Sequence, residues 1–144
     1  MEIQIPLLQT WLYLAGLAQI ALVVVSAAIP AVLKWKLALS AVPTLIRQMF
    51  WTYAAYILMI NLSFGLLSVF ALNDLTDGSL LACLVCGFIA LYWISRILIQ
   101  FFYFDRKSLP ADPWSRLAEV VLVLLFLFLS IVYIQAFYFN YQQL

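Results

Sequence analysis

Cys83 and Cys86 form the most recognisable chemical motif in the sequence. Two residues separate the thiols, which is the spacing of redox-active pairs, and a thiol in such a motif near a helix N-terminus can be activated as a thiolate. They are the only two cysteines among the 144 residues, so the chain has no second pair to relay electrons. Cysteine is also a small residue suited to helix packing, and both interpretations stay open.

A second candidate site consists of polar residues deep in apolar sequence: Arg96, Glu119, Gln100 and Asn61. Counted from the ends of their apolar runs, Arg96 lies roughly 13 Å and Glu119 roughly 8 Å from the same membrane surface. A charge at such depth is costly and usually faces a partner or a water-filled cavity. If the Arg96 side chain extends towards the surface, it comes level with Glu119, so we predict an ion pair, with Arg116 as a competing partner for Glu119. The ion pair either fixes the register of the two helices, which is a structural role, or belongs to a ligand or ion site.

Helical spacing places these residues on polar or small-residue stripes, one per predicted helix, which we expect to face the interior. The stripes comprise Ala15, Gln19 and Ser26; Asn61, Gly65 and Ser68; Tyr92, Arg96, Gln100 and Tyr103; and Glu119, Ser130 and Tyr133.

Several classes of function are excluded by composition. The chain contains no histidine, so histidine-ligated haem, histidine-rich metal sites and a Ser-His-Asp triad cannot be built from it alone. A carboxylate-only metal site is not expected, because only Glu119 among the acidic residues lies clearly inside an apolar run. The net charge of +1 and the lack of a basic patch argue against nucleic acid. We therefore predict no cofactor, no metal and no catalytic constellation.

The elements that must position these residues are four long apolar runs. Hydrophobic residues make up 68% of the chain and charged residues 9%, against about 45–50% and about 25% in soluble domains. The runs cover about 7–33, 48–72, 79–104 and 114–139, and each exceeds the roughly 20 residues that span a bilayer. The predicted fold is an all-α membrane protein, a single domain over 1–144, with four transmembrane helices in an antiparallel up-down bundle.

Prolines and capping residues mark the predicted helix ends. Pro30 lies in the last turn of the first helix and Pro43 can open the second. Asp77 or Ser79 can cap the third helix, and Asp112-Pro113 reads as an N-cap followed by proline at the first helical position.

The cysteine pair within four membrane helices resembles the disulfide-forming oxidoreductases of the bacterial disulfide-bond and vitamin K epoxide reductase type. That resemblance implies a thiol oxidoreductase that uses quinone. The chain departs from the pattern by lacking their second cysteine pair. Small multidrug transporters also have four helices, but their coupling acid lies in the first helix, which here has none. That family is not assigned.

The distribution of basic residues predicts the orientation. They are confined to two loop regions, with Lys34, Lys36 and Arg47 in the first and Arg106, Lys107 and Arg116 in the second. By the positive-inside rule, the loops at 34–47 and 105–116 are cytoplasmic and both termini lie outside. We expect a multi-pass protein of a bacterial inner membrane.

Three functional hypotheses follow. The first is a small non-catalytic subunit or assembly protein that packs against other membrane subunits or its own copies. The second is a small oligomeric transporter or channel that uses the polar interior around Arg96 and Glu119. The third is a quinone-linked thiol oxidoreductase that uses Cys83 and Cys86.

Overall fold

The computed structural model describes residues 4–103 and 113–144, which form helices and their connecting turns. The helices are α1 (Gln4–Val32), α2 (Trp35–Ala38), α3 (Thr44–Phe70), α4 (Leu80–Phe102) and α5 (Pro113–Tyr141), and a single 3₁₀ turn covers Asp74–Thr76. All but α2 are long and apolar enough to cross a membrane. The chain is therefore a four-helix, multi-pass integral membrane protein, as its composition predicted.

Local signals set the helix ends. Helix α3 begins at Thr44 rather than near residue 48, because the Pro43 carbonyl already accepts the first helical hydrogen bond, from the Arg47 amide at 3.0 Å. Ser79 is the N-cap of α4, as predicted, and its hydroxyl accepts from the Ala82 amide at 3.1 Å. Pro30 lies inside α1, which ends two residues later. Asp105, Arg106, Lys107 and Asp112 lie outside the described residues.

The helices pack as two pairs joined through α1 and α5. Helix α1 lies along α3, α4 lies along α5, and α1 also contacts α5. Helix α3 reaches α4 through the Phe64 ring, whose centre lies 6.0 Å from that of Phe88 and 5.3 Å from that of Tyr92. Helices α1 and α3 approach each other closely, since a Cβ added to Gly16 would lie 2.9 Å from the Gly65 carbonyl oxygen.

Burial is confined to one half of the bundle. The acidic half contains the Asn73–Gly78 turn and the C-terminus, and it holds every buried residue of the described chain, from Leu8 to Leu22, Asn61 to Thr76, Ala82 to Trp93 and Phe126 to Asn140. The basic half comprises residues 23–60, 94–103 and 113–125. Among its residues whose side chains the structure describes, none is buried. The helices thus form a close-packed core on one side and leave the other side open.

Candidate functional site

A hydrogen-bonded network closes the core where the two halves meet. It takes one fully buried side chain from each long helix: Gln19, Ser68, Trp93 and Tyr133. The Gln19 amide donates to the Tyr133 hydroxyl at 2.7 Å, and the Trp93 indole N–H donates to the Gln19 Oε1 at 3.3 Å. The Tyr133 and Ser68 hydroxyls are also hydrogen-bonded. The network fixes the relative positions of the helices, since a buried polar group without a partner is costly.

Sequence reasoning placed three members of this network on inward stripes but missed the fourth. Gln19, Ser68 and Tyr133 were expected to face the interior, and they do. Trp93 is neither charged nor at a polar stripe position. The available signal was its indole N–H, which usually has a hydrogen-bond partner when the ring is buried.

An unsatisfied polar cluster lies next to this network, at the edge of the basic half. Asn61 of α3 is only 4% exposed. Its Oδ1 atom and the Tyr92 hydroxyl are buried, and neither has a partner at hydrogen-bonding geometry among the described residues. The Tyr92 hydroxyl is paired with the Asn61 side chain by a weak hydrogen bond and lies near the Arg96 charge, although the Tyr92–Asn61 geometry falls outside that of a standard hydrogen bond. Leaving a buried polar atom unsatisfied typically costs about 1–3 kcal/mol.

Arg96 contacts an aromatic ring at this boundary. Its guanidinium carbon lies 5.7 Å from the centre of the Phe126 ring, a cation–π distance. Trp93 stacks on the same ring at 5.4 Å, so Arg96, Phe126 and Trp93 form one contact cluster between α4 and α5.

The other predicted site residues lie further into the basic half. Glu119 is half-buried on α5, two turns and roughly 10 Å along the helix from Phe126. Gln100 is half-buried one turn beyond Arg96 on α4. The structure therefore brings Asn61 and Arg96 into one cluster, while the ion pair between Arg96 and Glu119 stays a prediction.

The two cysteines lie in the acidic half and are free thiols. Cys83 is 3% exposed and Cys86 is fully buried. The Cys86 sulfur lies 3.7 Å from the Leu75 carbonyl oxygen, and the Cys83 sulfur lies 3.9 Å from the Phe137 carbonyl oxygen. The turn and α5 thus cover both thiols, and this arrangement favours a packing role.

Asn140 of α5 binds the turn that covers the two thiols. Its amide nitrogen donates to the Leu75 carbonyl at 2.8 Å and approaches the Cys86 sulfur at 3.9 Å. Its Oδ1 accepts from the Gly78 amide at 2.9 Å. Gly78 has a φ of 75°, a conformation that favours glycine.

Comparisons with known proteins give no family. No protein-family model, curated protein or solved structure matches this chain. Within the residues that the structure describes, no group of three or more cysteine, aspartate or glutamate side chains could hold a metal ion. The polar cluster around Asn61, Tyr92 and Arg96 is therefore the candidate site with the most specific geometry.

Proposed function

We propose that this chain is a non-catalytic subunit of a membrane complex, and that it binds a transmembrane helix of a partner in its basic half. The observation that carries the proposal is the pair of buried polar atoms Asn61 Oδ1 and Tyr92 Oη, which lack a well-formed hydrogen bond and lie beside the Arg96 cation. They adjoin the half in which no described side chain is buried. A partner helix supplies both the missing hydrogen bonds and the missing burial.

The cluster defines the chemistry of that partner. Asn61 Oδ1 can only accept a hydrogen bond, Arg96 can only donate, and the Tyr92 hydroxyl does either. An asparagine or glutamine side chain offers both a donor and an acceptor without adding charge to a site that already contains Arg96. Interhelical hydrogen bonds from such amides are a common means of association within membranes.

Transport is the second candidate, and the open basic half supports it. Arg96 and Glu119 lie on that side of the core, as a polar entrance would require. A permeating solute would then have to pass the network of Gln19, Trp93 and Tyr133, whose buried groups are hydrogen-bonded to one another. Transport therefore requires this network to open, whereas partner binding requires no such movement.

A thiol oxidoreductase has less support than either. Exchange requires a thiolate that the second sulfur or a quinone can approach. Cys83 and Cys86 lie beneath the turn and α5, and no second pair is available to relay electrons.

The proposed location is a bacterial inner membrane, with the basic half towards the cytoplasm and the C-terminus outside. Lys34, Lys36 and Arg47 support this orientation through the positive-inside rule. Single cysteines at Lys36 and Asp77, in a background without native cysteines, test it by labelling intact cells with an impermeant maleimide. Labelling at Asp77 alone is expected, and labelling at Lys36 alone would reverse the assignment.

Site-directed photocrosslinking tests the partner proposal. Ile57 lies one turn from Asn61 and Ile99 one turn from Arg96, on the same helix faces, and they are 40% and 39% exposed. Leu84 is the matched control, because it shares the Tyr92 face of α4, is 60% exposed and lies in the acidic half. Photoreactive residues at the two isoleucines should give one defined protein adduct in cells, and the residue at Leu84 should not.

Two further results are required of that adduct. Its crosslinked peptide should map to a hydrophobic span that contains asparagine or glutamine, and the adduct should be lost in Arg96→Met and reduced in Tyr92→Phe. Both variants should retain the helical content and monomer mobility of the parent in detergent. Equal adducts at Leu84, adducts to lipid alone, or an adduct of two copies of this chain would each overturn the proposal.

A further inference from the structure

A cavity lies at the basic end of the bundle, between the last turns of α1 and the first turns of α3. Its volume is about 470 Å³, within the range of ligand sites. Short side chains form its walls, because both helices present alanine there, and two lysines lie at one end. The lining residues are the alanines Ala27, Ala31, Ala54 and Ala55, the lysines Lys34 and Lys36, and the larger Pro30, Trp51 and Leu58.

The short helix α2 positions the two lysines beside this cavity. Lys34 has φ 51° and ψ 42° and turns the chain from α1 into α2. Among the described residues it is the only non-glycine residue with positive φ, an uncommon conformation for lysine. Trp35 then packs edge-on against Phe50 of α3 at 5.2 Å and against Trp51 at 6.2 Å. Clustered tryptophan is typical of the membrane–water interface, so the lysines lie at headgroup depth.

The charge of this region has no counterpart nearby in the sequence. Residues 3–73 contain no aspartate or glutamate, while they contain Lys34, Lys36 and Arg47. Helices α1 to α3 therefore offer these cations no acidic partner. An anion at headgroup depth complements them, and ammonium groups bind phosphate as point charges.

We propose that this cavity binds one anionic phospholipid. The lipid phosphate lies against Lys34 and Lys36, and an acyl chain fills the alanine-lined space between α1 and α3. Basic pockets between transmembrane helices bind anionic lipid headgroups in this way. The site is separate from the cluster around Arg96, and it holds whether or not a partner helix binds there.

Native mass spectrometry of the full chain released from nanodiscs tests the proposal. The nanodiscs contain phosphatidylcholine with phosphatidylglycerol as the minor component, and the protein should retain one phosphatidylglycerol in preference to phosphatidylcholine. A juxtamembrane lysine contributes about fivefold to such binding, so Lys34→Gln with Lys36→Gln should weaken retention by about 25-fold. Arg116→Gln, which removes one exposed cation on α5, is the control and should retain the lipid.

A second variant distinguishes binding of a phospholipid from binding of a free anion. Ala54→Leu fills the cavity and leaves both lysines in place, so it should also weaken phosphatidylglycerol retention, while inorganic phosphate should not displace the lipid. Unchanged helical content and monomer mobility in detergent would show that each variant is folded. Equal retention of phosphatidylcholine, an equal loss in Arg116→Gln, or full displacement by phosphate would each overturn the proposal.

Discussion

Removal of a single hydroxyl group from Tyr133 should loosen the whole bundle. This side chain is fully buried, and its hydroxyl accepts from the Gln19 amide at 2.7 Å and is bonded to Ser68. Tyr133→Phe keeps the ring and its packing and breaks both interhelical bonds. The Gln19 amide nitrogen retains only its longer bond to the Ala15 carbonyl, at 3.2 Å, while Gln19 Oε1 still accepts from the Trp93 indole.

The expected loss of unfolding free energy is calculated from those two hydrogen bonds. Interhelical hydrogen bonds within membranes average about 0.6 kcal/mol and reach about 1.7 kcal/mol. Two of them give about 1 kcal/mol at the average and about 3 kcal/mol at the upper end. We expect the upper part of this range, because Ser68 is left in a fully buried position and an unsatisfied buried hydroxyl carries a desolvation penalty.

Unfolding equilibria in mixed micelles, followed by tryptophan fluorescence or steric trapping, measure this loss. Tyr138→Phe is the matched control on the same helix, because Tyr138 is 58% exposed and its change should stay within about 0.5 kcal/mol. Tyr133→Phe combined with Ser68→Ala should cost less than the sum of the single changes, since both remove one shared bond. Strict additivity, or equal losses in Tyr133→Phe and Tyr138→Phe, would refute the reasoning.

Three further predictions follow from local geometry. Gly16→Ala should destabilise the protein by about 1–3 kcal/mol in the same assay, because its Cβ would lie 2.9 Å from a backbone oxygen of α3; an unchanged midpoint would contradict this. Cys83→Ser with Cys86→Ser should leave assembly intact, and a trapped mixed disulfide with a substrate protein would contradict the packing role. The side-chain and backbone hydrogen bonds from Ser79 lower the pKa of Asp77 from its ordinary value of 3.8. The ionised carboxylate therefore stabilises the fold above pH 3.8, and this stabilisation is lost as the pH falls through the lower pKa of the folded state. A carboxyl NMR titration of Asp77 would check the lowered pKa.

The sequence predicted the membrane fold because the signals for it are local. Each apolar run exceeds the thickness of a bilayer, and Pro43 and Ser79 mark helix starts through their own backbone and side-chain chemistry. The inward stripes were also predictable, since residues three and four apart share a helix face. Gln19, Ser68 and Tyr133 follow that rule, and all three are buried. The prediction was wrong for Tyr103, which is 82% exposed because it lies just beyond the last residue of α4.

The same local rules could not determine which stripes meet, or at what depth. The sequence could not show that the Arg96 guanidinium lies over the Phe126 ring on the neighbouring helix, on which Trp93 also stacks; the ion pair with Glu119 stays a prediction. The register between α4 and α5 depends on how the two helices pack along their full length, and no residue of either helix encodes it alone.

The sequence by itself determined that four helices cross a membrane and that Gln19, Ser68 and Tyr133 turn inward. Only the tertiary structure showed that the core fills the acidic half and leaves the basic half open. Hydropathy cannot distinguish the two halves, because a side chain that faces lipid and one that faces a neighbouring helix are equally apolar. The distinction depends on distances between helices, and those place Asn61, Tyr92 and Arg96 together at the boundary.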